Sequence, residues 1–329
     1  MIEKPKVSII IVNYNGKSHL EKCLDSLRKI DYKNHEIILV DNNSTDNSLD
    51  FVKKKFPTII TIKLDKNYGF AHANNIGEKK AKGKFLLFLN NDTIVTPNFL
   101  SALLVMTDDL SIAIRQSLLL KLDGEVDSSG DYIDSLGVSY SSKNKIKNTK
   151  EIFSAKGAAM LVRKDVFELL NGFDKNFFTS FEDVDLCWRS RIIGYKVVVV
   201  PNSVVYHIGG ATIRKMQSTI NFHAIKNQIS MRITNFETKF AIKSLFMSFL
   251  VYGTKILLAK IDYSFKGKTT IQATKYENKI IQKPSIKTIL KSLVWIICNL
   301  KYLHQKRKWL KSHRIVKTNK MIKDKLILD

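Results

Sequence analysis

Four apolar runs in the first 92 residues each end on a cluster of polar side chains: VSIIIVNYN (7–15), HEIILVDNN (35–43), IITIKLDKN (59–67) and KFLLFLNND (84–92). Nearly continuous apolar strands are buried on both faces, which is the habit of parallel sheets covered by helices. The segments between them fit that role. SHLEKCLDSLRKI (18–30) places Leu20, Cys23, Leu24, Leu27 and Ile30 at helical spacing, LDFVKKKF continues as helix, and FAHANNIGEKKAKG (70–83) reads as a helix closed by Gly83. In open parallel sheets, ligands bind beyond the carboxyl ends of the strands. Asn13–Asn15, Asp41–Asp46, Asn67 and Asn90–Asp92 would then line one crevice. The expected fold class is α/β with a mostly parallel central sheet.

The remainder is less regular. Residues 111–134 suggest antiparallel strands turning at Asp123–Gly124, and SSKNKIKNTK (141–150) is a polar loop. GAAMLVRKDVFELLNGFD (157–174) gives a strand and a short helix stopped near Gly172. An acid-bearing helix follows, then a strand from Lys196 to Val200 and a second run, Val204–Tyr206, into His207. From about Asn221 the chain reads as helical and basic, with a break at Pro284.

Three constellations carry candidate chemistry. Asp92 caps the next element or meets a cation, since a carboxylate at a buried strand end is costly otherwise. Asp41, in DNNSTD, makes an Asx turn or belongs to the same site. Two acid-tipped parallel strands suit a nucleotide and its Mg²⁺ or Mn²⁺, which take oxygen ligands from one or two carboxylates and substrate phosphates. No Walker lysine loop and no G-x-G-x-x-G is present. In SFEDVDLCWRS, Glu182, Asp183 and Asp185 form either a helix start favoured by the macrodipole or a base whose pKa its aromatic neighbours raise. His207 is either structural or a metal ligand, and the Gly-Gly after Ile208 permits close backbone approach to a ligand.

VSIIIVNYNG, DNNSTDNS, NYGFAHANNIG, FLNNDT, NGFDKNFFTSFEDVDLCWR and YHIGGAT stand in the order seen in family 2 glycosyltransferases of the GT-A fold. The chain most resembles the rhamnosyltransferase-like branch, over roughly residues 5–235. The resemblance implies nucleotide contacts from Val12, Asn13, Asn15, Asp41, Asn43, Asn67, Gly69, Asn74 and Asn91, a metal held by Asp92 and His207, and Asp183 as general base beside Glu182. Asn90 replaces the first acid of the D-x-D motif, Ile208 stands where a second His is common, and His72 where a Gly is common. The implied activity is inverting transfer of a sugar, such as rhamnose from dTDP-rhamnose, to a hydroxyl of a glycan or lipid-linked saccharide in cell-surface glycan assembly. A polyprenyl-phosphate sugar synthase is the nearest alternative. Its nucleophile is already ionised and needs no base, so the Glu182–Asp183 pair argues against it.

Charge divides the chain. Residues 240–329 carry 20 Lys and Arg against 4 Asp and Glu, which is +16 of the net +24. An acidic partner for this tail is expected, either an anionic membrane surface or nucleic acid. Nucleic acid is disfavoured because it leaves the acid-tipped crevice without a role. In residues 285–302, Lys287, Lys291 and Lys301 fall within ~40° of one line, with Ile289, Leu293, Ile296 and Leu300 on the other side and Trp295 at the margin. No apolar run reaches the ~20 residues of a membrane span. No secretory signal is read at the N-terminus, and Cys23, Cys187 and Cys298 show no metal-ligand spacing. The expected organisation is a catalytic domain over residues 1–235 and a basic helical region over 236–329, cytoplasmic and peripheral at the inner membrane face.

Overall fold

A computed structural model describes residues 4–209, 217–260 and 285–328. Part of the YHIGGAT motif and the expected break at Pro284 lie outside these residues. The first half alternates as the apolar runs predict: β1 (Val7–Asn13), α1 (Lys17–Leu27), β2 (His35–Asp41), α2 (Ser48–Lys55), β3 (Ile60–Lys63), α3 (Gly69–Glu78), β4 (Phe85–Leu89), β5 (Thr93–Val95) and α4 (Phe99–Leu103). The middle supplies β6 (Ile112–Leu120), β7 (Val126–Ser128), β8 (Asp131–Asp134), β9 (Ser139–Ser141), β10 (Lys150–Glu151), β11 (Ala159–Arg163), α5 (Lys164–Leu169), α6 (Glu182–Ile192) and β12 (Lys196–His207). The C-terminal region is α7 (Gln217–Asn235), α8 (Thr238–Lys260), α9 (Ile286–Cys298), α10 (Leu300–Ser312), α11 (Thr318–Lys323) and β13 (Ile327–Leu328).

The main sheet runs β10-β12-β6-β11-β4-β1-β2-β3, with β5 on β12 and β7 on β6. Neighbours from β4 to β3 are parallel, as are β6 and β12, while β11 lies antiparallel between β4 and β6. Both faces are covered. Val7, Ile9, Ile11, Leu39 and Leu87 pack on Leu20, Leu24 and Leu27 of α1, Val52 of α2 and Leu100 of α4. Ile10, Ile38, Val40 and Phe88 point the other way, onto Ala71 and Ala73 of α3 and Phe167 of α5. The period-2 alternation of a strand thus feeds two cores from one run of residues.

One boundary differs from the pattern. α3 ends at Glu78, well before Gly83. Gly83 serves a different purpose: its amide donates to Ser8 Oγ at 2.8 Å, and a Cβ there would lie 2.5 Å from the Ser8 nitrogen. It is the point where the chain crosses β1, not a helix cap.

The C-terminal region is built into the first core. Met231, Phe236, Leu310, Met321, Leu326 and Ile327 belong to the same buried cluster as Phe88 and Trp188. Trp188 of α6 meets Phe236 edge to face at 4.6 Å. β13 pairs parallel with β8 in a small sheet completed by β9. Lys306 of α10 reaches into the interior, donating to Asp174 Oδ2 at 2.7 Å and Asp185 Oδ1 at 2.8 Å.

Candidate active site

The crevice beyond the parallel strands is a lattice of side-chain amides and carboxylates. Asn13 and Asp41 are register partners at the tips of β1 and β2. Asn13 is fully buried; its Nδ2 donates to Ser48 Oγ at 2.8 Å and Ser44 Oγ at 3.1 Å, and its Oδ1 accepts from Asn91 Nδ2 at 2.7 Å. Asp41 Oδ2 accepts from the Ser44 amide at 3.1 Å, the Asx turn its sequence allows. Asn15 and Asn43 take left-handed backbones (φ 50° and 67°), which Asn tolerates, and Asn15 Oδ1 accepts from the Thr45 amide at 2.7 Å. Asn67 Oδ1 accepts from the Gly69 amide at 2.9 Å. Gly69 has φ 78°, and a Cβ there would lie 2.2 Å from the Phe178 carbonyl oxygen, so only glycine fits. Val12 is half-buried against the core, and Asn74, buried in α3, bonds the Phe70 carbonyl at 3.0 Å.

Asn42 belongs to this lattice, as the Asp41–Asp46 cluster predicts, although it is not among the nucleotide contacts that the resemblance implies. It is buried, donates to Asn67 Oδ1 at 2.9 Å and accepts from the Tyr68 amide at 2.9 Å, tying the loop after β2 to the start of α3. Its place between Asp41 and Asn43 was the available signal. Its long-range partner was not visible in the chain.

Asp92 and His207 are brought together by β5. After Asp92 the chain turns into β5, which pairs antiparallel with the end of β12 so that Thr93 faces His207. Asp92 Oδ1 then lies 3.5 Å from His207 Nε2. The other ring nitrogen, Nδ1, is 2.9 Å from Asp127 Oδ2 on β7. Burial alone would lower the His207 pKa, but the two carboxylates outweigh it and raise it to about 9. Burial likewise works against ionised Asp92 and Asp127, and His207 reverses it, so both carboxyls sit below their ordinary range. Asp127 is a residue missed in the sequence; VDSSGD carries no spacing that links it to a histidine 80 positions later.

Among the described residues, no three His, Cys, Asp or Glu side chains converge closely enough to hold a metal by themselves. The donor set still fits a hard divalent ion that shares its shell with a diphosphate. Asp92 would offer a carboxylate oxygen and His207, once the cation displaces its Nε2 proton, a ring nitrogen on neighbouring strand ends, with the remaining positions left to phosphate oxygens and water. Asp127 orients the imidazole from behind, as carboxylates commonly do for metal-binding histidines.

Glu182 and Asp183 open α6, and they differ in environment. Asp183 Oδ2 accepts from the Gly157 amide at 2.9 Å and Oδ1 from the Val184 amide at 2.8 Å. Gly157 is two residues before β11, and the next residue, Ala158, accepts from the Asn90 amide at 3.0 Å. The Asp183 carboxylate thereby stands beside the strand end that carries Asp92. Burial raises the Asp183 pKa against these two amide bonds. Glu182 is buried, its Oε2 has no hydrogen-bond partner among the described residues, and burial followed by the Asp183 charge pushes its pKa well above the ordinary value. Asp183, with two amide donors on its oxygens, is the member of the pair better suited to carry charge, and Glu182, with Oε2 unpartnered, the one better suited to hold a proton. Asp185 has a structural role: it accepts from Arg189 Nε at 2.8 Å, from Asn235 Nδ2 at 3.1 Å and from Lys306.

A mostly parallel central sheet covered by helices, with its polar crevice at the parallel strand tips, is the arrangement of the GT-A fold. Mannosyltransferase PcManGT from Pyrobaculum calidifontis, solved in complex with GDP-Man and Mn²⁺, superposes with a TM-score of 0.55 over 95% of this chain and 85% of that one at 15% identity. The sequence profile described as glycosyl transferase family 2 matches residues 8–169. Rhamnosyltransferase WbbL of Escherichia coli (strain K12) is 30% identical over 217 residues, 59% of this chain and 80% of WbbL. The chain belongs to glycosyl transferase family 2. The O-antigen biosynthesis protein RfbC of Myxococcus xanthus is 28% identical over 226 residues, 64% of this chain, and the chain spans only 18% of its length.

Proposed function

We propose that this chain is an inverting glycosyltransferase that moves a sugar from a nucleoside-diphosphate sugar to a hydroxyl of a glycan or lipid-linked saccharide in cell-surface glycan assembly. The observation that carries this reading is the pair Glu182 and Asp183. Glu182 is buried with its Oε2 unpartnered among the described residues, and Asp183 is fixed by two backbone amides and placed beside the strand end of Asp92. A base in that position takes the proton of the acceptor hydroxyl. The acceptor oxygen attacks the anomeric carbon, the bond to the diphosphate oxygen breaks, and its electron pair leaves with the nucleoside diphosphate. A single displacement inverts the anomeric centre.

The lattice of Asn13, Asn15, Asp41, Asn42, Asn67 and Asn91 would bind the nucleoside diphosphate. Asp92 and His207 would hold Mn²⁺ or Mg²⁺, whose chemistry is to offset charge building on the leaving diphosphate. WbbL, named a rhamnosyltransferase, makes dTDP-rhamnose the donor to test first.

The acceptor reading extends to where the protein works. No helix among the described residues is long and apolar enough to cross a membrane. Ser292 and Ile296 of α9 turn inward, Ser292 Oγ donating to the Phe222 carbonyl of α7 at 3.3 Å. This divides the apolar side expected from the sequence, since Ile296 is core while Leu293 and Leu300 stand exposed; Ile286, Leu290, Val294 and Ile297, which were not expected on that side, are exposed with Leu293 and make the stripe. Lys287 and Lys291 flank that stripe. An apolar stripe edged by lysines matches an anionic bilayer surface, and on this basis we place the protein peripherally at the inner face of the cell membrane.

The test is a panel of nucleotide sugars scored by thermal stabilisation and by hydrolysis, with and without Mn²⁺. Stabilisation by one donor class, strengthened by Mn²⁺, is the expected result. No stabilisation and no hydrolysis with any donor overturns the reading.

A further inference from the structure

The turn that delivers the acid pair is built against the preferences of its residues. Ser180 (φ 71°) and Phe181 (φ 68°) are consecutive non-glycine residues in the left-handed region. For a bulky Phe this conformation is rare, and it persists only where the surroundings impose it. Three contacts do so. The Phe178 carbonyl accepts from the Phe70 amide at 2.7 Å, at the start of α3. The His223 ring of α7 stacks on Phe178, with centroids 4.9 Å apart and planes 19° from parallel. Asn227, one turn further along α7 and fully buried, donates from Nδ2 to the Thr179 carbonyl at 3.0 Å and the Ser180 carbonyl at 2.7 Å.

The third contact is the specific one. The Thr179 and Ser180 carbonyls lie in the two peptide planes that flank the Ser180 Cα, so holding both fixes φ and ψ of Ser180. Asn227 Oδ1 has no partner among the described residues, and the reverse amide orientation would set oxygen against two carbonyl oxygens. The amide therefore has one sense and one task. The Phe181 carbonyl accepts from the Asp185 amide at 2.9 Å, so the turn's geometry passes directly into the first turn of α6 and the aim of Asp183.

We infer that Asn227 is a positioning residue, which holds the left-handed Ser180–Phe181 turn so that Asp183 meets the acceptor hydroxyl. The inference rests on Asp183 being the base. Asn227 lies on a helix outside the nucleotide lattice, so its loss leaves donor binding in place. Misplacement of a reacting group by ~1 Å costs up to ~10²-fold in rate.

The experiment measures kcat, donor KM and acceptor KM for Asn227→Ala, for Asn227→Gln, and for Asn227→Ala combined with Ser180→Gly. Asn227→Ala is expected to lower kcat by ~10–10²-fold with donor KM within about twofold. Ser180→Gly is expected to restore much of that loss, because glycine adopts φ 71° without a Cβ penalty. Should Asn227→Ala fail to bind donor nucleotide, Asn227→Gln carries the test: it keeps the amide in the helix and displaces it by one methylene, and its kcat must also fall. Wild-type kcat in a folded Asn227→Ala or Asn227→Gln protein overturns the inference, as does a kcat loss that Ser180→Gly leaves untouched. Asp183→Asn, run in parallel, separates the two ideas. If it transfers sugar at the wild-type rate, the base assignment fails; if it is inactive while Asn227→Ala is not, only the positioning role fails.

Discussion

The strand-tip crevice and the C-terminal helices both gather polar and charged side chains, but they reveal them differently. At the tips of β1, β2 and β4, the polar residues follow runs that must be buried on both faces, so their location is set by the strands before any contact is known. Along α9 and α10, lysines of the same type meet opposite fates. Lys306 lies between two buried acids with its side chain 12% exposed, whereas Lys287 and Lys291 stand in solvent. A strand confines the side chain at its end. A helix offers several faces, and what packs against each decides whether a lysine is a core ion or a surface charge.

The comparison breaks first at the crevice. Asp183→Asn preserves shape but accepts no proton, and transfer is expected to fall by ~10²–10⁴-fold with donor affinity and thermal stability little changed. The pH profile sharpens this. Because the Asp183 pKa is raised, the base gains its proton on the way down from neutral pH before an ordinary carboxylate would, so the acidic limb of kcat lies above the usual carboxylate range. Glu182→Gln should be milder and should leave that limb where it is, since a protonated Glu182 exerts no charge on its neighbour. A limb that moves down with Glu182→Gln would show that Glu182 was ionised, and an inactive Glu182→Gln would exchange the roles.

In the helices, the largest effect belongs to Lys306. Lys306→Met leaves Asp174 and Asp185 buried without their shared cation, a loss of ~3–5 kcal/mol measured by urea unfolding at neutral pH. Burial alone would raise the Asp174 pKa, but Lys306 outweighs it and holds this carboxyl well below the usual range. A depressed folded-state pKa stabilises above the unfolded value and loses that contribution as pH falls toward the folded one. The gap between wild type and Lys306→Met should therefore narrow below about pH 4. An unchanged gap would place the cost in lost packing and not in the ion pairs.

These two regions also show what the chain made legible. The parallel strands and the crevice at their tips followed from apolar runs that end in polar side chains, and the approach of Asp92 to His207 followed from the order of the motifs. The tie of Asn42 to Asn67 and the place of Asp127 did not, because each depends on a partner that only the folded chain supplies: Asn67 across the α3 loop, and His207 through the β6–β7 hairpin. Lys306 was hidden for a related reason, since its acids lie more than 100 positions away. The division of α9 was out of reach because Ile296 and Leu293 look alike until α7 takes one of them.

Asp127 offers a smaller effect that tests the crevice from behind. Asp127→Asn keeps a partner for His207 Nδ1 but removes the charge that orients the ring. Mn²⁺-dependent binding of the donor nucleotide should weaken by ~10–100-fold in calorimetry, with metal-free binding unchanged. Asp92→Ala should be more severe, because it removes a ligand and its charge. Identical Mn²⁺ dependence in wild type and both variants would return Asp92 to a turn cap and His207 to the core.

The smallest expected effect lies on α9 and completes the contrast with Lys306. A lysine near an anionic surface contributes ~1 kcal/mol, about fivefold in partition. Lys291→Ser should weaken co-sedimentation with anionic vesicles by about that factor at low salt. It should change nothing with zwitterionic vesicles, and unfolding stability should stay within ~0.5 kcal/mol of wild type. The full chain is the right vehicle, because removing the C-terminal helices would also take Lys306 from Asp174 and Leu310 and Ile327 from the core. Leu290→Ser, on the exposed stripe, should weaken binding to both vesicle types, since its contribution is apolar burial. If Lys291→Ser and Leu290→Ser both bind anionic vesicles as wild type does, the stripe is not a bilayer surface. If Lys291→Ser instead destabilises the fold as Lys306→Met is expected to, then Lys291 is a core ion like Lys306, and the distinction drawn between the two helices fails.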